Sequence, residues 1–562
     1  MKKIYLSIIA ILFTFGLAAQ APQKNANQKY FDMNKSIDLF SSVLKELDMF
    51  YVDSIKVDSL VNVTIRQMLM RMDPYTEFYT EDNISELEFM TTGEYGGIGS
   101  IISQNKNRVV INEPYEGLPA DKSGLKPGDI ILAIDDMDMR DATVKEVSDK
   151  LKGTPGTSLR LTIQRFGQEE PLEIDVVRQK IEIDPIALST MVNENTGYIH
   201  FSSFTNHSSN RIKESLLQLK KEGAENLVLD LRGNGGGILD EAVKTVNFFV
   251  DKGEEIVSTK GKVKQWDRIF FTQNTPIDTL MPIVVLIDTG SASASEIVAG
   301  AIQDLDRGVI VGSRSFGKGL VQTPRDLPYG SNIKITTSKY YIPSGRCIQA
   351  LDYSHRNSDG SVIRVPDSLA NTFYTRSGRE VKDGGGINPD IVIKPAKSAT
   401  ITFYLHNENI VFNFVTEWAS KHSSIAEPDA FEISDEDYEA FKEFVQKEDF
   451  EYDQMSIRQL ESLEEVMKFE GYFDNASDEF TALQNKLKPD LNRDLELFKD
   501  EIKEMIESEI VKRYYYQAGA HKFLLKNDVV LHKALEILQD KSTYEAAFNG
   551  AATPEMDSEK DS

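Results

Sequence analysis

Between Met33 and Met72, "IDLFSSVLKELDMFYV" and "VDSLVNVTIRQMLMRM" space their apolar residues three and four apart, which predicts amphipathic helices. Pro74, in "MDPYTEFYTEDN", ends that pattern. From Tyr95 the period falls to two: "GGIGSIISQNKNRVVINEPYEGLPADKSGLKPGDIILAIDDMDM" reads as short strands punctuated by Gly and Pro. One helix interrupts them, "TVKEVSDKL", with Val144, Val147 and Leu151 on one face, and "TSLRLTIQRF" adds a further strand. From Ile181, β-rich runs such as "TGYIHFSSF", "NLVLDLRGNGGG", "MPIVVLID" and "RGVIVGS" alternate with helical ones such as "NRIKESLLQLKKEG" and "LDEAVKTVNFFV", the order of an α/β core. From about Thr402 the pattern is helical as far as Phe548, and "ATPEMDSEKDS" reads as a disordered tail. The expected organisation is multidomain α/β: a helical region over 27–94, a β domain over 95–178, an α/β core over 181–400, a helical domain over 401–548 and a tail over 549–562.

Composition narrows the setting. With 562 residues, 40% of them apolar, the chain has material for several cores and is neither disordered nor fibrous. "MKKIYLSIIAILFTFGLAAQAP" has two lysines, an apolar run from Ile4 to Leu17 and then small residues, so 1–20 reads as a secretory signal peptide. The run is short of the roughly 20 residues a membrane helix needs. The expectation is a periplasmic protein with no integral membrane span after cleavage, tethered only if the signal stays uncleaved. Its one cysteine, Cys347, leaves no internal disulfide to form. A net charge of −26 argues against nucleic acid and anionic lipid as partners. Most of the excess lies late: Ile401 to Ser562 carries 37 acidic and 17 basic side chains.

Candidate chemistry centres on "GSASASEIVAG", where Ser291, Ser293 and Ser295 alternate with small residues between an apolar strand and the start of a helix. A helix start offers unpaired N–H groups and a positive dipole end, which favour developing negative charge. Serine is also a common N-cap, so the stretch by itself admits a purely structural role. A nucleophilic serine needs a base. His200 and His207 flank "FSSFTN", but His200 sits in an alternating strand pattern and reads as packed, and neither is expected to be the base. Lys318, in "SRSFGKGLVQ", is flanked by glycines in a loop after the next strand; burial could lower its pKa enough to let it serve. A phosphate loop is excluded because Gly319 stands where Ser or Thr is required. No cluster has metal-ligand spacing, and neither a metal nor a cofactor is expected.

Two segments resemble known families. "YGGIG" with "LPADKSGLKPGDIILAID" resembles a PDZ domain, which implies that Gly96, Gly97 and Ile98 present N–H groups to a peptide's terminal carboxylate, while the Val144, Val147 and Leu151 face lines a pocket for its last side chain. "LVLDLRGNGGGILDEAV", "GSASASEIVAGAIQD" and "VGSRSFGKGLVQT" resemble the C-terminal processing peptidases, or tail-specific proteases. That resemblance covers roughly Met33 to Pro395. It implies Ser293 as nucleophile, Lys318 as general base, Gln322 as the group orienting the lysine, and an oxyanion hole from Gly236 or Gly237 with the N–H of Ala294. Many relatives have proline where this chain has Gly235. A stretch over 350–383, longer than the minimal family pattern, reads as a surface insertion.

Together these imply an exported serine endopeptidase that cuts near the C-terminal tails of envelope or secreted proteins. The rival is a catalytically silent PDZ scaffold, against which the intact Ser293, Lys318 and Gln322 set argues. No motif names a regulator, an oligomeric state or a role for the acidic helical domain.

Overall fold

The computed structural model describes residues 26–357, 360–394, 397–539 and 541–548; the expected signal peptide over 1–20 and the tail over 549–562 lie outside the described residues. The chain divides into two units, Met1–Phe78 and Tyr79–Ser562. The first contains helices α1 (Ala26–Phe50) and α2 (Val57–Met70), with Tyr30, Phe31, Ile37 and Phe50 exposed. Among the described residues no helix is long and apolar enough to cross a membrane.

In the second unit, helix α3 (Ile84–Thr92) leads into β1 (Glu94–Gly97), then β2 (Ser100–Asn105), β3 (Arg108–Pro114), β4 (Ile130–Ile134), α4 (Val144–Leu151), β5 (Ser158–Gln164), β6 (Leu172–Val177) and β7 (Gln179–Glu182). Strands β2 to β6 form an antiparallel sheet in chain order, with β2 at one edge. Thr143 caps α4 by accepting from the Glu146 N–H, and Glu146 bonds back to the Thr143 N–H, so the helix starts where its sequence provides a capping box. The inward faces of Ile111, Ile131, Val147, Leu161 and Ile163 close a small core. This is the β domain expected from the period-two pattern.

The central sheet runs β8 (Ile186–Met191), β9 (Thr196–Phe201), β10 (Asn226–Asp230), β13 (Ile283–Ile287), β14 (Val309–Gly312) and β21 (Ile391–Val392). Only the β8–β9 pair is antiparallel. The crossovers include α5 (Ser208–Glu222), α6 (Leu239–Val246) and α7 (Ala294–Asp304). Between them, β11 (Glu255–Gly261) pairs with β12 (Arg268–Phe271) and β16 (Asn332–Tyr341), and β15 (Leu320–Asp326) pairs with β16. Strands β10 and β13 are buried along their whole length, as their uninterrupted apolar runs require for a sheet covered on both faces. The 350–383 stretch forms two hairpins, β17–β18 (Leu351–Arg356, Val362–Arg364) and β19–β20 (Thr372–Tyr374, Glu380–Lys382). It is tied inward by Arg379, which pairs with Asp306 and Asp390 while itself nearly buried.

The acidic region is helical throughout: α8 (Thr400–Asn407), α9 (Ile410–Lys421), α10 (Asp435–Lys447), α11 (Met455–Glu470), α12 (Phe473–Leu487), α13 (Leu491–Leu497), α14 (Lys499–Leu524), α15 (Val529–Gln539) and α16 (Lys541–Ala547). Helices α8 to α10, α13 and α14 share their own core around Phe414, Phe441, Leu495 and Ile506. Helix α15 instead lays Leu531, Ala534, Ile537 and Leu538 on Val228, Val284, Leu286 and Val311 of the central sheet. The end of the acidic region thus covers the sheet face opposite α5, α6 and α7.

Candidate active site

Three parallel neighbours, β10, β13 and β14, end side by side. The crevice beyond the carboxyl ends of such strands is where open α/β sheets build their sites. The three loops that leave these ends carry "LRGNGGG", "DTGSAS" and "SRSFGKG".

The loop after β13 sorts the three serines. The Ser291 hydroxyl donates to the Leu231 carbonyl at 2.7 Å, and that of Ser295 to the Asn234 carbonyl at 2.8 Å. Both serines have no exposed surface. Ser293 is only half-buried and has φ 57° and ψ −111°, a positive-φ conformation that a non-glycine residue adopts at a cost of about 1–3 kcal/mol. Such a strained strand-to-helix turn lifts a side chain out of the backbone path and presents it at the start of a helix, here α7.

Glu296, three residues on, links this turn to the loop after β14. Its Oε2 accepts the N–H of Ser293 at 2.8 Å and that of Lys318 at 2.9 Å. Its Oε1 accepts from the Gly317 N–H at 2.7 Å and the Ser315 hydroxyl at 2.5 Å. The backbone nitrogens of Ser293 and Lys318 are therefore separated by no more than two hydrogen bonds through one oxygen. Glu296 is wholly buried, and burial pushes its carboxyl pKa up, while the four donors favour the ionised form. Below the turn, the buried Tyr340 hydroxyl donates to the Ser293 carbonyl at 3.1 Å. Lys318 is half-buried, and the Gln322 carboxamide on β15 donates to the Thr336 hydroxyl at 3.1 Å.

The loop after β10 closes over the turn that carries Ser293. A Cβ on Gly236 would lie 2.6 Å from the Ala292 carbonyl oxygen and 2.8 Å from Cβ of Ser293; with φ 97° the position requires glycine on both counts. The Gly236 N–H is already taken by Asn234 Oδ1 at 2.9 Å. Among the described residues no acceptor meets the N–H of Gly237 or of Ala294. Asp288 Oδ1 fastens the two loops by accepting from Gly233, Gly290 and Ser291 N–H groups. The structure thus brings Ser293, Lys318, Gly236, Gly237 and Ala294 together. Glu296, Asn234, Asp288 and Tyr340 were not singled out in the sequence; the S-x-x-E spacing of Ser293 and Glu296, a capping-box signature, was the one local signal for them. His200 is elsewhere, its ring edge-on to His521 at 4.5 Å, and His207 begins α5.

In the PDZ domain, Gly96 and Gly97 lie in β1, paired with Lys180 and Gln179 of β7, and the turn before β2 consists of Ile98 and Gly99, the latter at φ 72°. A strand remote in sequence, β7, thus pairs with Gly96 and Gly97 and leaves Ile98 and Gly99 as the turn. Val147 and Leu151 are buried in the domain core and Val144 is half-buried at its edge, so Val144 has the most exposed surface of the three.

Residues 195–354 match the model of peptidase family S41, 110–165 a PDZ domain, and 401–538 the C-terminal helical domain of a probable PDZ-protease. A carboxy-terminal-processing protease of Bartonella bacilliformis is 34% identical over 356 residues, 62% of this chain and 81% of that relative. A probable CtpA-like serine protease of Staphylococcus aureus is 32% identical over 329 residues, 57% of this chain and 65% of the relative. Among solved structures, a photosystem II D1 C-terminal processing protease covers 63% of this chain and 86% of its own at 27% identity, with a TM-score of 0.34. Fold and relatives together define a serine peptidase carrying a PDZ domain. The chain belongs to peptidase family S41, with the carboxy-terminal-processing proteases.

Proposed function

We propose that this peptidase is exported and cuts proteins near their C-termini with Ser293 and Lys318, while the PDZ domain captures the substrate's tail. The observation that carries the dyad is Glu296, a single buried carboxylate that binds the backbone of both residues. A neutral Lys318 amine takes the proton of the Ser293 hydroxyl as its oxygen attacks the scissile carbonyl carbon. The tetrahedral oxyanion is held by the N–H groups of Ala294 and Gly237, Gly236 serving as the close-packed wall beside them. The lysine then gives its proton to the leaving amine, the C–N bond breaks, and an acyl-serine remains. Water attacks that ester with the lysine again as base, releasing the new carboxylate and restoring the serine. Gln322, its NH2 group held by Thr336, orients the lysine through its carbonyl oxygen. Donors at the Ile98–Gly99 turn bind the tail's terminal carboxylate, and the tail adds as a strand to the free edge of β2. Tails of envelope or secreted proteins are the partners this implies.

The test is cleavage of unfolded proteins, read by mass spectrometry of the cut sites. Ser293→Ala, Lys318→Ala and Lys318→Arg are expected to abolish cutting, because a guanidinium does not give up its proton at any working pH. Gln322→Ala is expected to be milder. Near-normal turnover by Lys318→Arg would exclude lysine as the base, and intact cleavage by Ser293→Ala would exclude that serine.

A further inference from the structure

The free edge of β2 is not open along its whole length. Strands β2 and β3 join in a tight hairpin at Lys106 and Asn107, with Asn105 facing Arg108, Gln104 facing Val109, Ser103 facing Val110 and Ile102 facing Ile111. In an antiparallel pair alternate residues turn their N–H and C=O toward the partner and the others turn them away. Gln104 belongs to the outward set, since its carbonyl accepts from Asn409 Nδ2 at 3.3 Å. Ile102, two residues earlier in an unbroken register, shares that edge.

Asn409 stands at the corner between α8 and α9, at φ 59°. That corner is fastened to the end of β2: Asn105 Nδ2 donates to Asn413 Oδ1 at 2.6 Å, and the Lys106 ammonium meets Glu448 at 2.8 Å. Beside it opens a cleft of about 900 Å³ whose walls include Ser103 and Gln104 of β2, Phe403, His406 and Asn409 of the corner, and Glu509 of α14.

We propose that Asn409 is a register stop in the tail site, a specificity residue supplied to the PDZ edge by the helical domain. This rests on the reading that tails add to β2. A tail anchored by its carboxylate at the Ile98–Gly99 turn runs antiparallel to β2, its upstream residues passing Ile102 before Gln104. At Ile102 it forms ordinary strand hydrogen bonds. At Gln104 the carbonyl it needs is occupied by the Asn409 amide, so the chain leaves the sheet there and crosses the mouth of the cleft. The site therefore selects proteins by a short extended terminus and leaves the conformation of the preceding residues free.

The experiment uses the full chain carrying Ser293→Ala and a synthetic octapeptide with an apolar last residue and a free carboxylate. Versions are N-methylated at the residue facing Ile102 or at the residue facing Gln104. Binding is expected to weaken about threefold to tenfold on methylation opposite Ile102, the loss of one hydrogen bond, and to change less than about twofold opposite Gln104. Asn409→Gly accepts the positive φ and removes the amide; Asn409→Asp keeps the shape and turns an acceptor toward the carbonyl. In both variants methylation opposite Gln104 is expected to become as costly as opposite Ile102. If the wild-type residue already gives equal losses at the two positions, or neither variant gains sensitivity, the register stop is wrong. The amidated octapeptide separates the two readings: acid and amide binding equally would overturn tail capture by β2 and the register stop with it, whereas preference for the acid alongside equal methylation losses overturns the register stop alone.

Discussion

Ser291, Ser293 and Ser295 are chemically identical, and their surroundings divide the work among them. Two hydroxyls satisfy buried carbonyls of the loop after β10, and the third serine, Ser293, is the one left partly exposed. Ser291→Ala and Ser295→Ala should each cost about 0.5–1.5 kcal/mol in urea unfolding, since each removes one buried hydrogen bond from a carbonyl that keeps a second donor, the Asn234 N–H at Leu231 and the Ala292 N–H at Asn234, yet should still react with a serine-directed fluorophosphonate probe. Failure of Ser291→Ala to label while its fold is intact would move the nucleophile. Glu296 is the more demanding position. Glu296→Gln keeps the volume but turns an NH2 group toward N–H donors, so the Ser293 and Lys318 backbones separate; turnover should fall at least about 100-fold while substrate binding to the PDZ domain is unchanged. Ser293 and Lys318 stood out in the sequence through the family offsets, as candidates. Glu296 was not, because its spacing matches an ordinary capped helix and its role depends on a loop that arrives from β14, across the sheet.

At the scale of elements, the site consists of three loops from adjacent parallel strands, and it tolerates little change where they touch. Gly236 is the closest approach, and Gly235, whose Cβ would meet nothing within 4 Å, is its natural control. Gly236→Ala should lower turnover by about 100-fold or more, since a methyl group there displaces Ser293, whereas Gly235→Ala should leave it nearly unchanged. Equal effects would mean that the loop acts through its flexibility and not through this contact. The alternation of strands and helices that forms these loops was readable from apolar periodicity. The pairing of Gly96 and Gly97 with β7 was not, because it joins residues some eighty positions apart. The same limit applies to α15: its apolar face marks it as packed without revealing that its partner is the central sheet.

Across the whole second unit, the helical domain touches its two neighbours by different means. Toward the central sheet it buries the apolar face of α15, and Asp528 pairs with Arg232, which also binds Asp230 at the end of β10. Toward the PDZ domain the contacts are polar: Asn409 with Gln104, Asn413 with Asn105, Tyr516 with Asp121, and Gln517 with Glu113. Helix α14 breaks at Tyr516, with φ 53° and ψ −162°, where it meets the PDZ domain. Five residues later His521 packs against His200 of β9. Burial, and then the neighbouring His200, lower the His521 pKa from 6.5 to about 4, with Asp230 opposing them. The folded protein thus keeps this ring neutral where the unfolded chain would protonate it. Between those two values the unfolded state binds more protons, so stability is full above about 6.5 and falls as the pH drops toward about 4, by at most ~3 kcal/mol. His521→Phe preserves an edge-on ring and removes the titration. Urea unfolding of the wild type should therefore weaken from pH 7 to pH 4.5 more steeply than that of His521→Phe, the carboxylates contributing equally to both. Parallel pH profiles would show that the junction between α14 and β9 does not carry the acid sensitivity.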